Sequence, residues 1–418
     1  MITTADERTC PYCGGSLVLG DLPIVATRVT RGATGTSHGP VDIDDSDGPP
    51  AGEEPRPVSG AEHYGTVGEW PVIAEAPCKR YPQVSTRRLS RAKVYPPLPD
   101  VRAEGHRADM PARICTRCKW PLPVDIDTRP LLTVGVAGLK GASKTNFMIA
   151  ALHQACKEQQ RLLGPALCCA EFTPDESTNR RLCEDYKWDQ WDDDTRTVLS
   201  RTEPALMAKV RFEPLVFRAS FSGHQPVALL FHDIAGEVFA YPEQRAMYTP
   251  FLARAAAMIF IIDPARLPPI KQYVQQRYNT DPPETKIDQP GLVNALAEDM
   301  FDQDISRLPV AMALSRSDLL TSAWDHHFVF AQDPPADPAA WSTNREAVDQ
   351  EVRSLLAQRL AAADLVAAAS RFSNVTYHAV APLGVQPEKT ERTVSGARTL
   401  RCLDPLVSVL GRLFPPPG

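Results

Sequence analysis

Residues 133–152 read TVGVAGLKGASKTNFMIAAL. The apolar run that opens at Leu131 has the length of a buried strand, and Thr145–Leu163 carries a helical pattern, so the stretch is strand, loop, helix. The loop between them, Gly138-Leu-Lys-Gly141-Ala142-Ser143-Lys144-Thr145, fits G-x-x-x-x-G-K-[ST] with Ser143 in place of the second glycine. The chemistry needs this layout. Successive backbone N–H groups at a helix N-terminus surround phosphate oxygens. Lys144 reaches the β- and γ-phosphates, and the Thr145 hydroxyl coordinates Mg²⁺. Gly138 and Gly141 let the backbone approach the ligand closely.

Working outward, apolar runs alternate with helical patterns across 131–384. Strands are expected at Leu131–Val136, Leu215–Ser220, Val227–His232, Met258–Ile262, Val310–Leu314 and Val375–Val380, with the turn SGHQ joining the second and third. Helices are expected near 243–256, 291–303 and 344–370, and a closing helix over 405–414 with Asp404 as its N-cap. This order implies an α/β fold, a mainly parallel sheet with helices on both faces.

Three more strand ends carry motifs. The run VALLFH leads into Asp233-Ile-Ala-Gly236-Glu237, VAMAL leads into Ser315-Arg316-Ser317-Asp318, and YHAV leads into Ala381-Pro382-Leu383-Gly384. In order and placement these resemble the motifs of the translation-factor-related, Ras-like P-loop GTPases, over about 131–414. The resemblance implies that Asp233 holds Mg²⁺ through a water and that the Gly236 N–H meets the γ-phosphate. It implies that Ser315, Arg316 and Asp318 read guanine, with Ala381 and Pro382 beside the base. Glu237 stands where fast enzymes of this family carry a water-orienting glutamine, so GTP hydrolysis to GDP and phosphate is expected to be slow. Thr202 is the first choice for the switch I threonine that also binds Mg²⁺, ahead of Thr197 and Thr195. His232, on the strand just before Asp233, is expected to point to the opposite face from it.

The flanking sequence narrows the resemblance to bacterial double-GTPase-type proteins, which join a zinc ribbon to a GTPase domain and are associated with conflict or regulatory systems. Cys10-Pro-Tyr-Cys13 and Cys115-Thr-Arg-Cys118 each present two thiols in a tight turn, the arrangement that grips one tetrahedral Zn²⁺. Domains are therefore expected at 1–127, a zinc-ribbon module whose insertion includes a disordered stretch at 33–60, and at 128–418, the GTPase domain. That domain has an enlarged switch I region at about 165–209 and an insertion at about 264–307. The expected role is a GTP-binding molecular switch that signals to a protein partner; a non-hydrolysing nucleotide-binding scaffold is the alternative.

Composition sets the outer limits. The chain has 418 residues, 43% of them hydrophobic, enough for a core. A formal net charge of −6 argues against a nucleic-acid surface, and the basic run RRLSRAKVY at 87–95 reads as solvated surface. No apolar run approaches the roughly 20 residues of a membrane span, and MITTADERTCPYC lacks a secretory pattern, so a cytoplasmic location is expected.

Overall fold

The computed structural model describes most of residues 122–418. Before them it describes short stretches, chiefly 7–12, 14–18, 24–28, 66–67, 70–74 and 109–113. Within 122–418 the segments 189–190, 192–194, 198–213, 301–303 and 386–392 and the positions 235, 280 and 418 fall outside the description. The chain divides into two compact units, Met1–Leu131 and Leu132–Gly418.

In the first unit, β1 (Glu7–Thr9) pairs antiparallel with β2 (Ser16–Val18) across the Cys10–Gly15 turn. Strands β3 (Ile24–Arg28), β4 (Thr66–Val67), β5 (Trp70–Ala74) and β6 (Asp109–Arg113) form an antiparallel sheet in the order β4-β5-β3-β6. Segment 33–60, read as disordered, lies outside the described residues.

The second unit is built on a seven-stranded mixed sheet. Its strands are β7 (Leu131–Gly138), β8 (Cys169–Pro174), β10 (Leu215–Phe221), β11 (Val227–Phe231), β12 (Ala257–Ile262), β13 (Pro309–Leu314) and β14 (Asn374–Ala379). The order is β14-β13-β12-β7-β11-β10-β8. The pairs β7/β12, β12/β13 and β13/β14 are parallel, while β10/β11 and β8/β10 are antiparallel. Two further strands, β9 (Thr195–Thr197) and β15 (Thr393–Ser395), make a separate antiparallel ribbon.

Period-two alternation explains how one sheet fills two cores. Along β12, Met258, Phe260 and Ile262 join one cluster with residues of helices Pro268–Tyr278, Gln289–Asp299, Pro338–Ser354 and Ala363–Ala369. Ala257, Ile259 and Ile261 join the other, with helices Lys144–Lys157 and Leu403–Leu413. Both faces are covered, as the continuous apolar strands require. Among the described residues no helix is long and apolar enough to cross a membrane.

Several helix limits differ from the sequence pattern. The first helix ends at Lys157 and passes into a π turn at Gln159–Leu163, just before Pro165, which brings no N–H to the ladder. The expected helix 243–256 is Pro242–Tyr248 followed by a 3₁₀ turn at Pro250–Arg254, for the same reason. The expected helix 291–303 is Gln289–Asp299, started by Asp288, whose carboxylate accepts from the Gly291 N–H at 2.8 Å. The expected helix 344–370 starts earlier, at Pro338, where Asp337 accepts from the Ala340 N–H at 2.7 Å. It breaks at Ala361, whose φ is +51°. The alanine-rich sequence there hides the break, which lies between the buried Leu360 and Ala362.

Asp404 is not an N-cap. It lies inside the helix Leu403–Leu413, buried, and accepts from Trp341 Nε1 at 2.8 Å and Arg401 Nη1 at 3.1 Å. A buried indole and guanidinium both need an acceptor, and this demand outweighs capping.

Among its described residues the region 165–209 contributes edge strand β8 and the helix Glu176–Glu184, capped by Asp175 accepting from the Thr178 N–H at 2.7 Å. The region 264–307 likewise carries the helices Pro268–Tyr278 and Gln289–Asp299.

Candidate functional site

The central strand β7 ends at Gly138, and a loop leads from there to the helix that begins at Lys144. A Cβ on Gly138 would stand 2.8 Å from the Ile261 carbonyl oxygen, so only glycine passes there. Gly141 has φ +79°. Ser143, in the place of the second glycine, has φ +63° and ψ +28° and is the N-cap residue of the helix. A left-handed serine costs roughly 1–2 kcal/mol, strain of the kind that gathers at functional loops. Ala142 is buried in the core beneath the loop.

Lys144 Nζ donates to the Leu139 carbonyl at 3.1 Å, which holds the ammonium within its own loop. Burial pulls this lysine down from its ordinary value to about 8, although Asp233 and Glu237 push the other way; Arg266 lowers it further. A cation so poorly solvated is poised to gain from an anionic ligand.

Thr145 opens the helix and turns its hydroxyl onto the end of β11. Its Oγ1 lies 3.0 and 2.9 Å from the two carboxylate oxygens of Asp233. A hydroxyl and a carboxylate in contact at a strand edge are the hard oxygen donors that Mg²⁺ takes. His232, the preceding residue, is fully buried and stacks on Phe251 with centroids 3.8 Å apart, so it is a packing residue.

Gly236 lies against the phosphate-type loop so closely that a Cβ there would collide with the backbone of Leu139 and Lys140. Next to it, Glu237 Oε1 pairs with Lys140 Nζ at 2.6 Å, both side chains about one-third exposed. Burial alone would raise the Glu237 carboxyl. The Lys140 hydrogen bond, a backbone hydrogen bond and the charges of Lys140 and Lys144 outweigh it and lower the value.

The residues expected to read the base follow β13. Ser315 is buried, its N–H and Oγ both donating to the Ile262 carbonyl, at 2.8 and 3.0 Å. Ser317 N–H donates to the Val380 carbonyl at 3.0 Å, which ties this loop to the end of β14. There Ala381 exchanges backbone bonds with Leu400, and the Pro382 carbonyl accepts from Thr399 Oγ1 at 3.0 Å. Asp318 opens the helix Asp318–Ala323. Arg316, at φ +50°, does not stand free over a base position; its Nη2 pairs with Asp263 Oδ1 at 3.1 Å.

Asp263 and Arg266 were not expected in the site. Asp263 ends β12, is buried, and accepts from the Ala265 N–H at 3.1 Å. Arg266 Nη2 donates to the Lys140 carbonyl at 2.7 Å and to the Pro283 carbonyl at 2.8 Å, and its Nε lies 3.7 Å from Asp263 Oδ2. Contacts thus run from Arg316 through Asp263 and Arg266 to the loop at Lys140. The D-P-A-R sequence after an apolar strand carries a capping signal, but nothing local announces its long-range partners.

The remaining expected site residues are less complete. Thr202 lies outside the described residues; Thr195 and Thr197 lie in ribbon strand β9. In the first unit Cys10 and Cys115 are buried, while Cys13 and Cys118 lie outside the described residues. The Tyr12 N–H points at Cys10 Sγ at 3.5 Å, and Gly14, at φ +64°, completes the turn. A backbone N–H aimed at a buried sulfur is compatible with a metal-gripping turn. Among the described residues no group of three or more metal-ligating side chains comes together.

No known family profile matches this chain, and no curated protein does. Among solved structures it is similar to the Arl6 (BBS3) small GTPase of Trypanosoma brucei, with a bound GppNp analogue. Identity is 12% over 60% of this chain and 88% of that one, with a TM-score of 0.24. It is also similar to the GTPase-like domain of S. cerevisiae Ski7. The form bound to GTP gives 12% identity over 68% of this chain, TM-score 0.31, and the form bound to GDP and inorganic phosphate 14% over 62%, TM-score 0.27. The chain spans about half of those Ski7 chains, 50% and 47%. These likenesses are faint in sequence and in shape, so the functional reading rests on the residues of the site.

Proposed function

We propose that this chain is a Ras-like P-loop GTPase: a switch that binds GTP·Mg²⁺, hydrolyses it slowly and presents the two nucleotide states to a protein partner. The observation that carries this reading is the contact between Thr145, in the phosphate-type loop, and Asp233, in the D-x-x-G loop. Two motifs distant in sequence meet at the end of adjacent strands, where the reading needs both for one metal ion.

Residue roles follow. Gly138, Gly141, Ala142 and Ser143 shape a cradle of backbone N–H groups for the β- and γ-phosphates, and Lys144 supplies the cation at its centre. Thr145 and Asp233, with Thr202 as the third member, hold Mg²⁺. When bound, Mg²⁺ would neutralise charge on the phosphate oxygens. Gly236 presents its N–H to the γ-phosphate, and Glu237 accepts a hydrogen bond from the attacking water. Ser315, Arg316, Asp318, Ala381 and Pro382 bound the guanine. In the first unit Cys10, Cys13, Cys115 and Cys118 hold one Zn²⁺, a structural role supported by the buried thiols and the amide–sulfur contact at Cys10.

Calorimetric titration of the purified chain with GTP, GDP and ATP, in the presence of Mg²⁺, tests the nucleotide reading. Saturable binding of GTP and GDP but not ATP is expected; equal affinity for ATP and GTP overturns the guanine choice, and no binding overturns the whole. Zinc measured on the same sample should be one equivalent per chain. Cys10→Ser and Cys115→Ser should each lose it if both turns share one ion.

A further inference from the structure

Lys140 is a long cation in the middle of a loop that, on this reading, brings backbone N–H groups against phosphate oxygen. Lys140 therefore calls for a reason. Its ammonium, about one-third exposed, pairs with Glu237 Oε1 at 2.6 Å. Isolated surface ion pairs are worth little, since two flexible side chains must be ordered to form them. Here both backbones are fixed independently of the pair. Gly236 is pressed on the backbone of Leu139 and Lys140, which sets Glu237 beside the loop. From behind, Arg266 Nη2 holds the Lys140 carbonyl at 2.7 Å while also holding the Pro283 carbonyl. With both backbones held, only the two side chains remain to be ordered when the pair forms.

The two residues also stand out together. A glutamine at the position of Glu237 would be neutral and would orient water without further help. A carboxylate there adds a negative charge beside a negatively charged phosphate, which opposes both binding and the reaction. A lysine in contact with that carboxylate cancels the charge and orients the group.

We propose that Lys140 is a positioning residue for hydrolysis: it neutralises Glu237 and orients its carboxylate towards the attacking water. This deepens the GTPase reading and rests on it. In the reaction water attacks the γ-phosphorus, the bond to the β,γ-bridging oxygen breaks with its electron pair left on GDP, and the protons of the water leave with the phosphate product and to solvent; Lys140 exchanges no proton and forms no bond to the phosphate. The phosphate loop thereby carries its own complement to the Glu237 carboxylate.

The test uses the full chain loaded with GTP·Mg²⁺ in single-turnover hydrolysis, with GTP affinity measured separately by titration. Lys140→Ala should slow hydrolysis by roughly 10- to 100-fold, the scale of a misplaced reacting group. Lys140→Arg should restore most of the rate. In a Glu237→Gln background, Lys140→Ala should cost less than about threefold, because a neutral side chain needs no partner and coupled residues are not additive. A purely structural role would instead cost the same in both backgrounds, and that result overturns the proposal. So does a Lys140→Ala rate within twofold of the wild type, or a wild type that binds GTP and hydrolyses none. Failure of the wild type to bind GTP at all is seen in the titration and overturns the underlying reading first. Thermal unfolding of each variant separates a folding defect from a rate effect; Lys140→Met, which keeps the stem and removes the charge, should behave as Lys140→Ala.

Discussion

Thr145 Oγ1 sits within 3.0 Å of both carboxylate oxygens of Asp233, a contact that joins the start of the first helix to the end of β11. A hydroxyl has one proton, so it donates to one of those oxygens at a time, while its oxygen carries lone pairs of the kind a cation takes. A divalent cation between the two side chains draws on lone pairs from both. Thr145→Val should therefore leave the fold intact and remove most of the Mg²⁺ dependence of GTP affinity. Titrations with and without Mg²⁺ would show it; an unchanged Mg²⁺ effect would remove Thr145 from the metal site.

Ser143 is the one departure from the loop pattern, and its φ of +63° shows what the pattern's glycine is for. Ser143→Gly removes the left-handed strain and loosens the unfolded chain, two effects of opposite sign and each about 1 kcal/mol. Its stability should thus change by less than about 1 kcal/mol, with GTP binding retained. Ser143→Val places a β-branched side chain at positive φ and should destabilise the chain and weaken binding together. Denaturant unfolding and titration on both variants check this; a well-tolerated valine would mean that the loop does not hold this conformation in solution.

The parts of this site that are local in sequence were readable there. Each motif closes an apolar strand, and a strand–loop–helix unit fixes its own geometry, so Gly138–Thr145, Asp233–Glu237 and Ser315–Asp318 could be placed from pattern alone. Strand β8 could not. Its sequence CAEFTP buries only Cys169 and Phe172, three residues apart, and so lacks the two-residue alternation that announces a half-buried strand. The chain of contacts Arg316–Asp263–Arg266–Lys140 was also hidden, because no spacing rule links the loop after β13 to the end of β12 and the loop after β7. Asp404 shows the same limit: capping chemistry was visible, but the buried Trp341 and Arg401 that claim its carboxylate come from elsewhere.

His378 on β14 gives the fold an acid sensitivity. Burial, helped by Arg345, Arg412 and Arg401, pulls its imidazole down to about 3, against 6.5 in the unfolded chain. Between these values the unfolded state binds the proton and the folded state does not, so stability rises with pH. The stability is complete above about 6.5 and is lost as pH falls towards 3. The slope from this one group is at most about 1.4 kcal/mol per pH unit. His378→Leu should flatten the acid limb relative to wild type over pH 4–6.5 in parallel unfolding titrations. Identical slopes would mean that His378 takes up its proton without unfolding.

Asp318 should decide the base. An ionised carboxylate only accepts hydrogen bonds. Guanine offers it two donors side by side, the ring N1–H and the exocyclic amine, whereas adenine offers a bare N1 lone pair. Sites built round such bonds reject the analogue by roughly 10⁴-fold, because a buried group is left unsatisfied. The loop that carries Asp318 is anchored on both sides. Ser315 is tied to the Ile262 carbonyl, Ser317 to Val380, and Asp318 starts a helix. Arg316 is the movable member. It must exchange its pairing with Asp263 for stacking on the purine, so Asp263→Asn should free it and leave base preference unchanged. Asp318→Asn turns one acceptor into a donor, so it should lose GTP and gain xanthosine triphosphate, whose C2 carbonyl accepts. Competition titrations with the three triphosphates measure this. If Asp318→Asn keeps the wild-type preference, the loop after β13 does not read the base, and the chain is a P-loop nucleotide binder whose specificity lies elsewhere.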